Sequence, residues 1–287
     1  MTDLRVSRVG LGCNNFGWRL DLEGTRAVVE AALEAGITHF DTAETYGDGN
    51  SERFLGELLE GRREDVVIAT KFGGRQKAAG SRDYIRRAIE SSLERLRTDY
   101  VDLYYYHRPD GVTPIAETMA ALTELTEEGK VRHIGVSNVD ASQLEEAARA
   151  ARVAAVQNEY SLLHREPEDD VLPLCRELGI GFVPYFPLAS GLLTGKYRKG
   201  ELPPPGSRLE GRDDRLTDEV LERVERLEQF ATERGHTLLE LAIGALASEP
   251  GVLSVIAGAT TPQQVRANVA AAAWELRAAE RDALRNL

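Results

Sequence analysis

Two cysteines, Cys13 and Cys175, stand far apart in 287 residues, and no CxxC pair or Cys/His cluster occurs. That leaves no spacing suited to a structural zinc site, so no metal is expected. No run of 18 apolar residues appears, which excludes a helical membrane span, and the opening "MTDLRVSRVG" has no long apolar stretch of the kind a signal peptide needs. These absences point to a cytoplasmic protein. Positive charge is also short: 35 Lys and Arg face 47 Asp and Glu, a net charge of −12. Such a balance disfavours nucleic acid and anionic membrane as partners.

Several catalytic motifs are missing as well. "VGLGCNNFG" has Gly10 and Gly12, but Asn15 stands where a dinucleotide-binding loop needs its third glycine, and no long helix opens directly from it. A Rossmann site is therefore excluded. "GLLTGKY" is one residue shorter than a P-loop and has Tyr197 where Mg²⁺ binding needs Ser or Thr. No GxSxG elbow is present. The paired carboxylates of a glycosidase have no candidates either, with Glu44 expected to be solvated.

What the chain does have is rhythm. Eight short apolar runs recur: "VGLGC" (9–13), "ITHF" (37–40), "VVIAT" (66–70), "VDLYYYH" (101–107), "HIGVSN" (133–138), "VAAVQN" (153–158), "IGFVPY" (180–185) and "LSVIAGA" (253–259). Rich in Val, Ile and Tyr, they read as buried strands. The segments between them read as helices with recognisable ends. "LEGTRAVVEAALEAG" puts Val28, Val29, Ala32 and Leu33 on one face and stops at Gly36. "TPIAETMAALTELTEEGK" opens with Thr113 as N-cap and Pro114 in the first turn. Asp140 with Gln143, and Thr261 with Gln264, have the spacing of capping boxes. Eight alternating strands and helices predict an α/β protein with the (β/α)8 barrel as its architecture, a single domain over residues 1–287. An open doubly wound sheet is the alternative. One longer connection, 191–218, reads as a functional loop.

Each strand ends in polar residues: Asp41, Lys71, His107, Ser137 with Asn138, Gln157 with Asn158, and Tyr185. In a barrel the active site lies at that face, where parallel strands gather residues distant in sequence. Asp41 can pair with Lys71, which makes burial of both tolerable. Tyr46 lies one short loop beyond Asp41, and a nearby ammonium is expected to lower its pKa and suit it to general acid or base chemistry. His107 supplies a further donor. Taken singly, each could be a cap, a loop aromatic, a snorkelling cation or a satisfied rim histidine; four together at strand ends point to a site.

"FDTAETYGDGNSERFLG", "VVIATKFG", "DLYYYHRPD", "HIGVSN", "VQNEYSLL", "VPYFPLASGLLTGKY" and "VIAGATTPQQVRANV" follow one another from about Leu4 to Asn268. In that order they resemble the aldo-keto reductases. The resemblance implies a (β/α)8 barrel that uses NADP(H) without a metal. It implies that Asp41, Tyr46, Lys71 and His107 form a catalytic tetrad, in which Tyr46 donates a proton to a carbonyl oxygen as hydride reaches the carbon. Gly12, Cys13 and Asn14 match the segment near the nicotinamide; Ser137, Asn138 and Gln157 match the carboxamide set; Tyr185 matches the aromatic stacked on the ring. Pro187, Leu188, Ser190, Gly191, Leu193 and Lys196 match the loop that straps the pyrophosphate. Gly258, Ala259, Thr260, Gln264 and Asn268 match the adenosine end, where a capped helix N-terminus also offers free N–H groups to an anion.

Many members of that family place a lysine and an arginine against the 2′-phosphate. Here Gly258 and Gln264 stand instead, with Arg266 as the nearest cation and Arg208 as a second. The expected preference for NADPH is therefore modest, with NAD(H) usable. The substrate implied is a small carbonyl compound or sugar. The oxidative direction, as in an aldose dehydrogenase, and a regulatory subunit on this fold, as in the potassium-channel β subunits, are the alternatives.

Overall fold

The computed structural model describes residues 2–74, 76–285 and 287. Each of the eight apolar runs overlaps a strand: β1 Val9–Gly12, β2 His39–Asp41, β3 Val67–Phe72, β4 Val101–Tyr106, β5 Val131–Ser137, β6 Val153–Glu159, β7 Gly181–Tyr185 and β8 Val255–Gly258. They pair in parallel in the order β7-β6-β5-β4-β3-β2-β1-β8. The remaining seam, between β7 and β8, is bridged where Phe182 N–H donates to Gly251 O and Leu253 N–H donates to Phe182 O. The strands thus form a nearly closed (β/α)8 barrel, not an open sheet.

Parallel neighbours need crossovers long enough to hold a helix. These are α1 Leu22–Glu34, α2 Asn50–Leu58, α3 Arg82–Leu96, α4 Ile115–Glu127, α5 Ala141–Ala150 and α6 Val171–Leu178. They continue with α7 Asp218–Thr232 and α8 Leu238–Ala247 between β7 and β8, then α9 Pro262–Ala271 and α10 Ala278–Arg285. Asp140 and Gln143 form the expected reciprocal capping box, and the Thr261 hydroxyl accepts from Gln264 N–H. Thr113 is not the cap of α4: Pro114 takes that position. The Thr113 hydroxyl instead donates to Asp110 Oδ2, closing a local turn that outcompetes the cap. No helix among the described residues is long and apolar enough to cross a membrane.

The two-residue period of a strand sorts each run between helices and barrel interior. On β3, Ile68 and Phe72 face the helices, while Ala69 and Lys71 face inward. Ala69, Leu103, Tyr105, Ala155, Val183 and Ile256 fill the interior, together with Leu4 from the N-terminal segment. Large and small residues alternate across it. Tyr105 of β4 is in register with Gly135 of β5, and a Cβ on Gly135 would lie 2.4 Å from two ring carbons of Tyr105. The missing side chain is what lets the ring lie flat under the strand ends. Gly135→Ala should therefore overpack the barrel and lower stability by about 1–3 kcal/mol. Urea denaturation checks this; an unchanged midpoint would mean that the ring can move aside.

Candidate active site

Inward alternation on β3 delivers Lys71 into the mouth of the barrel, fully buried. Its ammonium donates to Asp41 Oδ2 at 2.5 Å and to Thr42 O at 2.7 Å. The second oxygen of Asp41 accepts from Gln157 Nε2 at 2.8 Å. One carboxylate therefore ties together β2, β3 and β6. Burial works against the charge on Lys71, but the Asp41 carboxylate and the Tyr46 phenol together more than offset it, so the ammonium is held above its ordinary pKa.

Tyr46 sits on the loop after β2, which is fastened at several points. Thr42 Oγ1 and Ser51 Oγ share a hydrogen bond of 2.8 Å, and Ser51 Oγ donates to Cys13 O at 2.9 Å. Glu44 is not solvated as expected: it is half-buried and accepts from Gly73 N–H at 2.8 Å and from the Tyr84 hydroxyl at 2.7 Å. Gly47 adopts φ +56°, and a Cβ there would lie 2.5 Å from Phe16 O. Only glycine serves at that turn, which aims Tyr46 back over the barrel.

The Lys71 ammonium lies 5.1 Å from the centroid of the Tyr46 ring. The ring of His107 meets Tyr46 edge-on at 6.1 Å. Contrary to expectation, the Tyr46 pKa is raised: burial dominates, and the charge of Lys71 only opposes it. Burial, with the charges of Lys71 and Arg108, pushes His107 down to about 3. Near neutral pH the pair is thus a protonated phenol beside a neutral imidazole, and His107 Nδ1 has no partner among the described residues.

The polar strand ends on the far side are linked to one another. Asn138, held at φ +56°, donates from Nδ2 to His107 O at 2.8 Å and to Ser137 Oγ at 3.0 Å. Its Oδ1 accepts from the Tyr185 hydroxyl at 2.7 Å, and Ser137 Oγ donates to Gln157 O at 2.6 Å. This network sets the positions of Tyr185 and His107 together.

Above these residues opens a cavity of about 560 Å³. Of the positions expected to bind a cofactor, Gly12, Cys13, Asn14, Ser137, Asn138, Gln157, Tyr185, Pro187, Leu188, Ser190, Gly191, Lys196, Arg208, Gly258, Ala259, Thr260, Gln264 and Asn268 line it. Two do not. Leu193 is buried in the apolar cluster beneath the strap, with Tyr197 and Leu209. Arg266 is turned to the surface and pairs with Glu34 Oε2 at 3.2 Å. Gln264 is committed locally, its Oε1 accepting from Thr260 N–H and hydroxyl. Arg19, Arg108, Asn15, Phe186, Thr194 and Ser207 line the cavity without having been singled out. Asn15, which stands in place of a third glycine, joins the β1 and β8 ends by donating to Ala259 O at 3.3 Å.

The walls are electrostatically one-sided. Arg19, Arg108, Lys196 and Arg208 line the cavity, and its one carboxylate among the described residues, Asp41, is already bound to Lys71. Arg208 stacks 5.3 Å from the Phe186 ring, and burial together with the charge of Arg19 lowers its pKa. In a chain of net charge −12, this pocket favours a polyanion.

Fold and site define a barrel protein with a buried Lys–Asp pair beneath a tyrosine and a cationic cavity at the C-terminal ends of its strands. A sequence model described as "Aldo/keto reductase family" matches residues 8–287, and the chain belongs to that family of nicotinamide-using oxidoreductases on the (β/α)8 fold. It is 39% identical over 290 residues to a probable voltage-gated potassium channel subunit beta from Oryza sativa subsp. japonica, covering 93% of this chain and 88% of that one. It is 37% identical to an NADH-specific methylglyoxal reductase from Escherichia coli, covering 94% and 91%. Among solved structures, an aldo-keto reductase from Bacillus halodurans in its holo form aligns with a TM-score of 0.85 at 34% identity, covering 100% and 93%. A glycerol dehydrogenase from Gluconobacter oxydans aligns with a TM-score of 0.87 at 29% identity, covering 99% and 92%.

Lys71→Met would leave Asp41 buried and uncompensated. It should cost about 3–5 kcal/mol, and adding Asp41→Asn should restore a large part of that loss. Urea denaturation of the two single variants and the double variant checks this; additive losses would mean that the pair is not coupled.

Proposed function

We propose that this protein is a carbonyl reductase dependent on a nicotinamide cofactor, with Tyr46 as its general acid. The observation that carries the reading is the half-buried phenol of Tyr46 above the Lys71–Asp41 pair with His107 facing it, at the floor of a cavity with cationic walls. The residues present suit the cofactor. Gly12 and Gly258 stand side by side in register with no side chain to obstruct it, and Asn15 Oδ1 is buried without a partner among the described residues. Arg19 and Arg208 are like charges that an anion would reconcile.

In this reading Tyr185, Ser137, Asn138 and Gln157 hold the nicotinamide end, with Gly12, Cys13 and Asn14 alongside. The strap from Pro187 to Lys196, with Arg19 and Arg208, holds the phosphates, and Gly258, Ala259, Thr260, Gln264 and Asn268 receive the adenosine. When bound, the cofactor supplies a hydride to the substrate carbon or removes one from it. Neutral His107 orients the carbonyl oxygen, and the Tyr46 hydroxyl gives that oxygen its proton. Lys71 then stabilises the phenolate that remains, until a proton returns from solvent.

Tyr46→Phe should lower kcat by about 10²–10⁴-fold with cofactor affinity nearly intact. Turnover close to wild type would overturn the mechanism. The raised pKa of Tyr46 gives a sign for pH. Reduction uses the protonated phenol, so its rate should hold through neutral pH and fall as the phenol ionises on the alkaline side. Oxidation uses the phenolate and should rise there. The similarity to a glycerol dehydrogenase makes polyol oxidation a natural second direction. The similarity to a probable channel subunit favours a regulatory role as the competing reading, and steady-state turnover of a panel of aldehydes separates the two.

The NADPH preference in this reading is small, because Arg266 must leave Glu34 to meet a 2′-phosphate. That pair is exposed, and such pairs are worth about 0–1 kcal/mol. Glu34→Gln should free Arg266 and tighten NADPH by up to about fivefold, while Arg266→Ala weakens NADPH and spares NADH. Fluorescence quenching gives both dissociation constants. Parallel changes for the two cofactors would remove Arg266 from the recognition of the phosphate.

A further inference from the structure

Arg108 is a cation for which the cofactor has no use. The segments that would carry phosphates follow β7, β8 and β1, on one side of the mouth. Arg108 follows β4, which stands opposite β8 in the ring. It is the residue after His107 and lines the cavity. Its charge reaches the imidazole of its neighbour His107, the group that would orient a carbonyl.

Arg108 makes no ion pair among the described residues, whereas most other arginines of this acidic chain have a carboxylate partner. The nearest acid in sequence, Asp110, is fully engaged elsewhere. Its oxygens accept from Gly80 N–H, Val112 N–H, Thr113 N–H and the Thr113 hydroxyl, each at 2.8–2.9 Å. Asp110 N–H is itself held by the Tyr106 hydroxyl at 2.8 Å. On the other side, His107 N–H donates to Phe72 O and His107 O accepts from Asn138 Nδ2. The backbone that carries Arg108 is thus fixed at both ends, and the carboxylate that could have quenched the guanidinium is turned away from it.

We infer that Arg108 anchors an oxyanion on the substrate, so that the preferred substrates are small carbonyl compounds bearing a carboxylate or phosphate. The inference rests on the carbonyl-reductase reading above and names the substrate class of that site. A guanidinium presents a planar fork that matches either oxyanion bidentately. Holding the anion one residue from His107 also fixes the distance from charge to carbonyl, so that a short chain between them is favoured.

The test compares kcat/KM for two matched pairs: succinic semialdehyde with butanal, and glycolaldehyde phosphate with glycolaldehyde. Wild type should favour the charged member of at least one pair. Arg108→Ala should lower that charged-to-neutral ratio by about 10–100-fold, the loss typical of a hydrogen bond to a charged group. The change should appear chiefly in KM, and Arg108→Lys should retain part of it. A response confined to the first pair names carboxylic acids, and one confined to the second names phosphates. An unchanged ratio in Arg108→Ala, or a wild type that prefers the neutral member of both pairs, overturns the inference. So does a loss of cofactor affinity in Arg108→Ala as large as the loss in the ratio, because the cation would then belong to the cofactor. These outcomes leave the reductase reading intact as long as the neutral aldehydes are turned over by wild type and not by Tyr46→Phe. Failure to turn over all four carbonyls with either cofactor overturns both.

Discussion

Asp41 and Lys71 meet inside the barrel where neither could remain alone. A buried ammonium or carboxylate without a partner is far too costly to persist in its charged form, so each side chain is the condition for the other. The pair also needs its surroundings to be settled. Gln157 occupies the second oxygen of Asp41, and Thr42 O occupies a second proton of Lys71. Two residues below Asp41 on the same face, His39 is fully buried against Ser254 Oγ at 3.0 Å, and burial lowers its pKa to about 4. A neutral imidazole there adds no third charge to the interior. Replacing a buried pair with apolar residues often stabilises a fold, so stability alone does not account for keeping one in a barrel otherwise filled by Leu103, Val183 and Ile256. What the pair provides is a fixed positive charge beneath Tyr46.

That charge acts against burial rather than in place of it. Enclosure raises the Tyr46 pKa and Lys71 pulls it down, and enclosure is the larger effect. The balance leaves a phenol that keeps its proton at neutral pH yet has an ammonium close enough to stabilise the anion once the proton has gone. His107 is governed by the same two effects, but for a base they add: burial and neighbouring cations both disfavour its charged form. One environment thus sets two adjacent groups in definite and different protonation states.

The strands and the four polar strand ends were legible in the sequence because both follow from local rules. Strand runs announce themselves by composition and length, and a (β/α)8 barrel converts strand ends into neighbours without any knowledge of side-chain contacts. Asp41 and Lys71 could be paired on charge alone. Illegible features depend on partners far away in the chain. Nothing near Arg266 indicates that Glu34, on α1, will take its guanidinium. Nothing near Glu44 indicates that Gly73 and Tyr84 will converge on it. Leu193 lies in a strap whose neighbours do line the cavity; its side chain points into the core because the chain turns through positive φ at Ser190 and Gly191 just before it. The direction of the Tyr46 shift required the degree of enclosure, which no motif encodes.

The cations of the cavity make the complementary point about stability. Burial and the charge of Arg19 disfavour the charge of Arg208, and neither arginine has a carboxylate partner among the described residues. In a chain with twelve more acids than bases, pairing them would have been easy, and surface pairs formed elsewhere readily: Arg82 with Glu124, Arg62 with Glu30, Arg149 with Glu145. Leaving these positions unpaired costs the free protein some repulsion. An anion that enters relieves that repulsion and adds its own attraction, so a term unfavourable to the empty fold becomes favourable to the complex. Lys71 has a partner and is held as a permanent charge beneath the phenol. Arg19, Arg108 and Arg208 have none among the described residues, which is what cations need if their partner is to arrive with a ligand.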